Sequence, residues 1–178
     1  MEELVEEAKA GNKEAFTQIV KIFEKDLYRI ANTKLKNNED ICDAIQNTMI
    51  IVFKNIKKLR KNEYFKTWLI KILINECNKI MKYNLKNNKF IEESTLEILE
   101  NETKSEIKKD DFLSFNSIIS GLESDEQLIF SLYYKDKFSC EEISKITKLS
   151  TGTIKSKLCR GRKKVANCLN EEVLNENG

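Results

Sequence analysis

Histidine and proline are absent from this 178-residue chain, and glycine occurs only five times. Proline and glycine punctuate the turns of sheet-rich folds, whereas the abundant Lys, Glu, Leu and Ile favour helices, so the composition predicts an all-α protein. The five cysteines are scattered without a CxxC pair, and no histidine is available to complete a zinc site or to act as a general base. We therefore expect free thiols, no metal or other cofactor, no small-molecule substrate and no enzymatic activity.

Long apolar runs are also missing from the sequence. No stretch approaches the roughly 20 residues that a membrane span needs. The acidic start, MEELVEEAKAG, has neither the basic region nor the apolar core of a signal peptide. We therefore expect a cytoplasmic protein without direct membrane insertion.

The net charge of +2 conceals segments of opposite charge. Residues 1–90 carry 18 basic and 12 acidic side chains, residues 91–136 carry 4 and 12, and residues 137–178 carry 9 and 5. Within the last segment, residues 150–165 read STGTIKSKLCRGRKKV, with six basic side chains and no acid. Two basic segments separated by an acidic one indicate two surfaces that meet polyanions, with a connector that does not.

Apolar spacing divides the chain into two small helical domains. The first domain, residues 1–88, has helical patterns over residues 14–35, 40–59 and 65–81, and the second of these patterns puts Val52 and Phe53 together on the apolar face. Residues 89–110 are polar and acidic, which predicts a flexible linker. The second domain, residues 111–172, is predicted to hold helices over residues 112–122, 124–134, 139–147 and 151–169, and residues 173–178 are predicted to form a frayed tail.

The last two of these helices have the spacing of a helix-turn-helix. They are joined by the three-residue turn Lys148-Leu149-Ser150, and the second helix is basic. In this motif the second helix lies in the DNA major groove and flanking cations contact phosphates. Ile143, Ile146, Leu149, Ile154 and Leu158 are predicted to be buried between the helices. Ser150 is predicted to cap the second helix, and the residues left for DNA are Thr151, Thr153, Lys155, Ser156, Lys157, Arg160, Arg162, Lys163 and Lys164. A merely solvated basic face is the simpler reading, but the complete exclusion of acids from this helix argues against it.

The same stretch resembles a known family. SCEEISKITKLSTGTIKSKLCRGRKKV is similar to the C-terminal region of the extracytoplasmic-function (ECF) group of bacterial sigma factors, in the sigma-70 family, whose pattern is S-x-x-E-I-A, a turn, then T-V-K-S-R-L-x-R-A-R. Ser144, Lys157 and Gly161 replace the usual Ala, Arg and Ala, and we interpret these changes as mild.

The first domain resembles another region of the same family. In EDICDAIQNTMIIVF the D-x-x-D-x-x-Q pattern falls on Asp40, Asp43 and Gln46, with Phe53 at an aromatic position and Asn47 where an acid is common. The segment FKTWLIKILINECNKIMK is similar to the family's F-x-x-W-L-x-x-I-x-x-N pattern.

The resemblance implies an alternative sigma factor that directs RNA polymerase to specific promoters under the control of an anti-sigma factor. It also implies that the core polymerase, through its beta-prime and beta subunits, and promoter DNA are partners. The residues expected to bind the core polymerase are Asp40, Asp43, Gln46, Asn47 and Phe53. Those expected to contact the melted −10 element are Asn62, Lys66, Trp68, Asn75 and Lys79, although a Trp at helical spacing with Leu69 and Ile72 also fits a core position. Those expected to contact the −35 duplex are Ser150, Thr151, Thr153, Lys155, Ser156, Lys157, Arg160, Arg162 and Lys163.

Two other functions remain open from the sequence. A stand-alone dimeric helix-turn-helix regulator would use residues 1–90 for dimerisation or ligand sensing, and it would bind a palindrome without polymerase. A helical protein–protein adaptor would account for the apolar stripes but not for the acid-free basic helix.

Overall fold

The computed structural model describes the backbone of residues 1–91 and 110–176, and the side chains of residues 1–86 and 115–167. Every regular element in these residues is helical, which confirms the all-α prediction. The chain divides into two compact units, Met1–Leu99 and Glu100–Gly178, and each is described by itself.

Four α-helices form the described part of the first unit. They are α1 (Glu2–Ala10), α2 (Lys13–Asn32), α3 (Asn38–Asn55) and α4 (Phe65–Ile91), with short 3-10 turns at Ile56–Lys58 and Asn62–Tyr64 between the last two. Helix α1 was not predicted, because its apolar content is limited. It buries Val5 and Ala8 against the unit and ends at Gly11, whose φ of 103° allows the backbone to turn back onto the helix carbonyls. Asn12 then caps α2, because its Oδ1 accepts hydrogen bonds from the backbone N–H groups of Glu14 and Ala15.

The core of this unit lies between α2, α3 and α4. Its largest fully buried side chains are Ile19, Leu27, Ile30, Ile41, Phe65, Leu69, Ile70 and Leu73. Burying a side chain of this kind stabilises the fold by about 1.5–3 kcal/mol. The buried face of α3 consists of Ile41, Ala44, Thr48 and Val52, and Phe53 is 55% exposed. The prediction that Phe53 packs on the apolar face with Val52 is therefore wrong.

Helix α4 is longer than its apolar pattern predicts. The pattern ends near residue 81 and the linker is predicted from residue 89, whereas the helical backbone continues to Ile91. The first residues assigned to the linker are thus helical, because the polar side chains at the end of α4 do not interrupt its backbone hydrogen bonds. The rest of the predicted linker up to residue 109 lies outside the described residues.

The second unit contains the predicted helix-turn-helix. Its helices are α5 (Asp110–Ile119), α6 (Ser124–Phe130), α7 (Cys140–Thr147) and α8 (Thr151–Glu176), and α6 widens into a π-helical turn over Ser131–Lys135. The tail predicted from residue 173 is helical as far as Glu176.

Two helices of the second unit begin with a capping box. Ser139, the first residue of the helix predicted over residues 139–147, caps α7, since its Oγ accepts the backbone N–H of Glu142 at 3.2 Å. The cap of α6 is Glu123 and not Ser124, which is the first residue of that helix. Within the described residues, none of the helices has both the length and the apolarity needed to cross a membrane.

Candidate nucleic-acid interface

The turn between α7 and α8 is held by its own side chains. Lys148 adopts the left-handed conformation, with φ of 64°, and its N–H donates to the carbonyl of Ser144 at 2.9 Å. Ser144 Oγ donates to the carbonyl of Leu149 at 2.6 Å. These bonds provide hydrogen-bond donors for backbone carbonyl groups at the end of α7 and in the turn, and they fix the direction in which the chain enters α8.

The first turn of α8 is capped by Ser150, as predicted. Its Oγ accepts the backbone N–H of Thr153 at 3.1 Å and lies 2.8 Å from the hydroxyl of Thr153. Ser150 therefore fixes the helix start, while its own exposure and that of Thr153 leave both hydroxyls at the surface.

Helix α8 separates buried apolar residues from exposed basic ones. Ile154 and Leu158 are buried against α7 and α6, together with Ile143 and Ile146 from α7, which confirms four of the five predicted buried positions. Leu149 is half-buried. On the opposite side, the exposed residues are Thr153, Lys155, Ser156, Arg160, Arg162 and Lys163, whereas Thr151 and Lys157 are half-buried.

One cation of this helix has a partner inside the unit. Lys164 Nζ lies 2.8 Å from Glu126 Oε2, and the Glu126 side chain is only 4% exposed. Burial raises the pKa of Glu126, but the hydrogen bond from Lys164, the backbone N–H of Glu123 and the charges of Lys164 and Lys157 together outweigh it and lower that pKa. Lys164 is predicted as a phosphate contact; in the structure its charge is paired with Glu126, while its side chain is 46% exposed.

At Gly161, helix α8 lies directly against a side chain of α6. A Cβ atom added there would meet Cε2 of Phe130 and lie 2.7 Å from its Cζ, and Phe130 is only 4% exposed. The replacement of the family's usual Ala at this position was interpreted as mild. In this chain the glycine is matched to its surroundings, because a Cβ at this position would require the buried Phe130 ring to move.

An exposed face of α3 carries most of the predicted polymerase-binding residues. We define the α3 face as Asp43, Gln46, Asn47, Ile50 and Phe53, which follow helical spacing and are all exposed. Ile50 is 43% exposed and was not predicted, although its spacing from Gln46 could have identified it. Phe53 contacts Phe16 of α2, with ring centroids 5.1 Å apart.

Asp40 differs from the α3 face. It is half-buried, and its Oδ2 accepts a hydrogen bond from Asn84 Nδ2 of α4 at 2.8 Å. The structure therefore gives Asp40 a role in joining α3 to α4.

Three of the predicted −10 contacts lie on one face of α4. Trp68, Asn75 and Lys79 are seven and four residues apart, which places them along a single line of the helix, and the exposed Lys82 and Lys86 continue this line. We call these five residues the α4 stripe. Lys82 and Lys86 were not predicted, although the same spacing identifies them. Trp68 is half-buried and packs against Phe65 at 6.1 Å, so it belongs neither wholly to the core nor wholly to the surface.

The loop before α4 adds exposed cations next to an aromatic ring. Lys57, Lys58, Arg60 and Lys61 are all exposed, and Lys61 Nζ lies 5.6 Å from the ring centroid of Tyr64. Tyr64 is 50% exposed. Cations beside an accessible aromatic face are the combination that holds single-stranded nucleic acid.

Asn62 and Lys66 are placed apart from the α4 stripe. Asn62 Nδ2 donates to Glu6 Oε2 at 2.7 Å, and Asn62 Oδ1 accepts from Lys9 Nζ at 3.1 Å. Hydrogen bonds from Asn62 and Lys9, and the charge of Lys9, lower the pKa of Glu6. Asn62 thus ties the loop to α1. Lys66 is half-buried and projects from the side of α4 opposite Trp68.

Comparison with known proteins finds a matching family model in each of the two units. The family model Sigma-70 region 2 matches residues 19–84, and the model Sigma-70, region 4 matches residues 113–165. RNA polymerase sigma factor SigV of Bacillus subtilis is 26% identical over 150 residues, covering 84% of this chain and 88% of SigV. ECF RNA polymerase sigma factor SigW of the same organism is 26% identical over 171 residues, covering 89% of this chain and 90% of SigW. The solved structure of sigma factor RpoE from Bartonella quintana, in complex with the anti-sigma factor NepR, has the same fold, with a TM-score of 0.69 at 21% identity, covering 87% of this chain and 96% of RpoE.

A helix-turn-helix with an acid-free, exposed cationic face defines a DNA-binding protein. The two matched regions, in this order along the chain, are those of a transcription initiation factor. The chain belongs to the ECF group of the sigma-70 family, and it is an alternative sigma factor that directs RNA polymerase to specific promoters. The stand-alone dimeric regulator is not favoured, because the region-2 match occupies the half of the chain that such a regulator would use for dimerisation or ligand sensing.

Proposed function

We propose that this sigma factor binds the core polymerase through the α3 face, holds the melted −10 strand along the α4 stripe, and reads the −35 duplex with α8. The observation that carries the proposal is that each unit exposes a surface suited to its step. In this proposal the functional domains are residues 1–88 and 111–172, joined by a linker over residues 89–110, and the protein acts in the cytoplasm.

The α3 face has the composition of a protein-binding surface. Ile50 and Phe53 expose apolar area beside the carboxylate and amide groups of Asp43, Gln46 and Asn47. An apolar centre with polar groups around it is typical of specific interfaces, and a carboxylate there pairs well with Arg or Lys of the partner. The beta-prime subunit is the partner that we propose for this face, with the beta subunit as a further contact of the bound factor.

The two DNA surfaces differ in the form of DNA that they suit. Along the α4 stripe, Trp68 is followed by Asn75, by Lys79, whose Nζ lies 2.6 Å from Glu76 Oε1, and by the exposed Lys82 and Lys86. The basic loop with Tyr64 precedes the helix. Stacking aromatic rings and neighbouring cations suit unpaired bases. Helix α8 instead presents short polar and basic side chains at the start of a helix, as a major-groove reader does.

We also propose an anti-sigma factor as a regulatory partner. RpoE, which shares the fold of this chain, was crystallised in complex with one. In this chain the exposed Ile50 and Phe53 of the α3 face are apolar groups that an inhibitor can cover, and covering them would block the polymerase at the same time.

Run-off transcription with purified core polymerase on genomic DNA tests the proposal. Adding the protein should produce specific transcripts, and Ile50→Ser should weaken this activity at limiting protein. Ile22→Ser is the matched control, because Ile22 is a 51% exposed isoleucine on α2 outside the α3 face. Lys155→Ala and Arg160→Ala should lower transcription without lowering co-purification with core polymerase. Specific transcripts without added protein, or none with it, would refute the proposal.

A further inference from the structure

Helix α8 is held to α6 at two separate points. Near its middle, Gly161 lies against the buried ring of Phe130, and three residues further on Lys164 is paired with the buried Glu126. Glu126 and Phe130 are four residues apart in α6, so both project from one face of that helix. The two contacts thus join one face of α6 to one side of α8.

The two contacts restrain different movements. The absence of a Cβ at Gly161 sets how closely α8 approaches Phe130, since a larger residue would push the helices apart. The Glu126–Lys164 ion pair, which joins a buried carboxylate to a cation at 2.8 Å, opposes rotation and sliding of α8, because either movement would leave the carboxylate buried without its partner.

We propose that Phe130, Gly161, Glu126 and Lys164 are positioning residues, which set the location of the exposed face of α8 relative to the rest of the second unit and thereby its fit to duplex DNA. Phe130, Gly161 and Glu126 lie outside the residues expected to contact DNA, and the charge of Lys164 is paired with Glu126. The inference rests on that function, since it takes α8 to be the duplex-reading helix. A shift of α8 of about 1 Å is enough to weaken a set of directional contacts with base edges.

The central test is Gly161→Ala, with Gly152→Ala as its matched control. Both glycines lie in α8, but a Cβ at Gly152 would meet only Ser150 Oγ, at 3.8 Å. Holoenzyme is assayed at saturating sigma protein on a promoter recovered by run-off transcription and on the same template with its −35 segment replaced. The ratio of the two transcript yields is the specificity ratio.

Gly161→Ala should lower the specificity ratio at least about tenfold, and Gly152→Ala should leave it within about twofold of the wild type. Combining Gly161→Ala with Phe130→Leu should restore most of the ratio, because leucine lacks the Cε2 and Cζ atoms that the new Cβ meets. A loss of folded protein alone would lower both yields and be overcome by saturating protein. An unchanged ratio for Gly161→Ala, or no recovery in the double variant, would overturn the proposal.

A second variant covers the case in which Gly161→Ala is unfolded at the assay temperature by circular dichroism. Lys164→Met removes the other contact without adding bulk at Gly161, and it should also lower the specificity ratio about tenfold; an unchanged ratio would overturn the proposal.

If the wild-type protein gives no promoter-dependent transcription, the proposed function fails, and the contact between Gly161 and Phe130 is still measured by urea unfolding. Gly161→Ala should then destabilise the wild-type background but stabilise the Phe130→Leu background, since alanine is the better helix former. The same sign in both backgrounds would refute the contact.

Discussion

The basic residues of α8 should contribute unequally to the salt dependence of DNA binding. Lys155→Gln, Arg160→Gln and Lys164→Gln each remove one positive charge from this helix. Lys155 and Arg160 are exposed, whereas Lys164 is paired at 2.8 Å with the buried Glu126. An exposed cation can replace counterions at a phosphate, but a cation already neutralised by a carboxylate cannot do so without leaving that carboxylate unpaired.

The expected magnitudes follow from counterion release. Each phosphate contact changes the slope of log K against log salt by about −0.9, so four contacts give about −3.6 and an affinity loss of about 150-fold between about 50 and 200 mM salt. The contacts are supplied by the four exposed cations of α8 that lie outside the Glu126–Lys164 ion pair, which are Lys155, Arg160, Arg162 and Lys163. Lys155→Gln or Arg160→Gln should reduce the slope to about −2.7 and the affinity loss to about 40-fold. Lys164→Gln should leave the slope at about −3.6.

Fluorescence anisotropy of a labelled duplex of arbitrary sequence, titrated with protein at several salt concentrations, measures these slopes. Further phosphate contacts elsewhere in the protein would add equally to every variant, so the differences between variants are the decisive quantity. Circular dichroism at the assay temperature confirms that Lys164→Gln is folded. If Lys164→Gln made the slope as shallow as Arg160→Gln does, Lys164 would have to leave Glu126 to bind phosphate. That result would refute the reasoning.

Asn62→Ala should lower the free energy of unfolding in urea titrations, because it removes the hydrogen bonds to Glu6 and Lys9 that tie the loop to α1; unchanged stability would contradict this role. At pH 8 iodoacetamide should modify Cys77 at least about 100-fold more slowly than the exposed Cys42, as read by peptide mapping, because burial raises the pKa of Cys77 to about 12; comparable rates would be inconsistent with its burial. Because the pKa of Glu126 is lowered in the folded state, its ionised carboxylate stabilises the fold at pH values above the ordinary carboxyl pKa of about 4.3. This stabilisation is lost as the pH falls through the folded-state pKa of Glu126. Urea titrations between about pH 5 and 3 should therefore show stability falling more steeply in the wild type than in Glu126→Gln, and parallel curves would contradict the ion pair.

Local patterns in the sequence predicted the features that depend on neighbouring residues. The spacing of Ile143, Ile146, Ile154 and Leu158 gave the buried side of the helix-turn-helix, and Ser139 and Ser150 gave the starts of its helices. These features could be predicted because helical periodicity and capping act over three or four residues.

Contacts between distant residues could not be predicted in this way. Lys164 and Glu126 are 38 positions apart, and Asn62 is 56 positions from Glu6, so no periodic pattern links them. A basic side chain in a basic helix has the same sequence pattern whether it meets phosphate or a buried carboxylate. Likewise Phe53 fits an apolar stripe by spacing, and its exposure is decided only by how α3 packs against α2 and α4.

The left-handed Lys148 has a consequence for how this domain can evolve. A residue with a Cβ atom in that conformation is about 1 kcal/mol less favourable than glycine. The junction between α7 and α8 is therefore less stable than it would be with glycine at this position. A single amino-acid replacement by glycine or asparagine would recover part of that free energy. Descendants carrying such a replacement would tolerate mildly destabilising changes on the exposed side of α8, through which new promoter preferences arise.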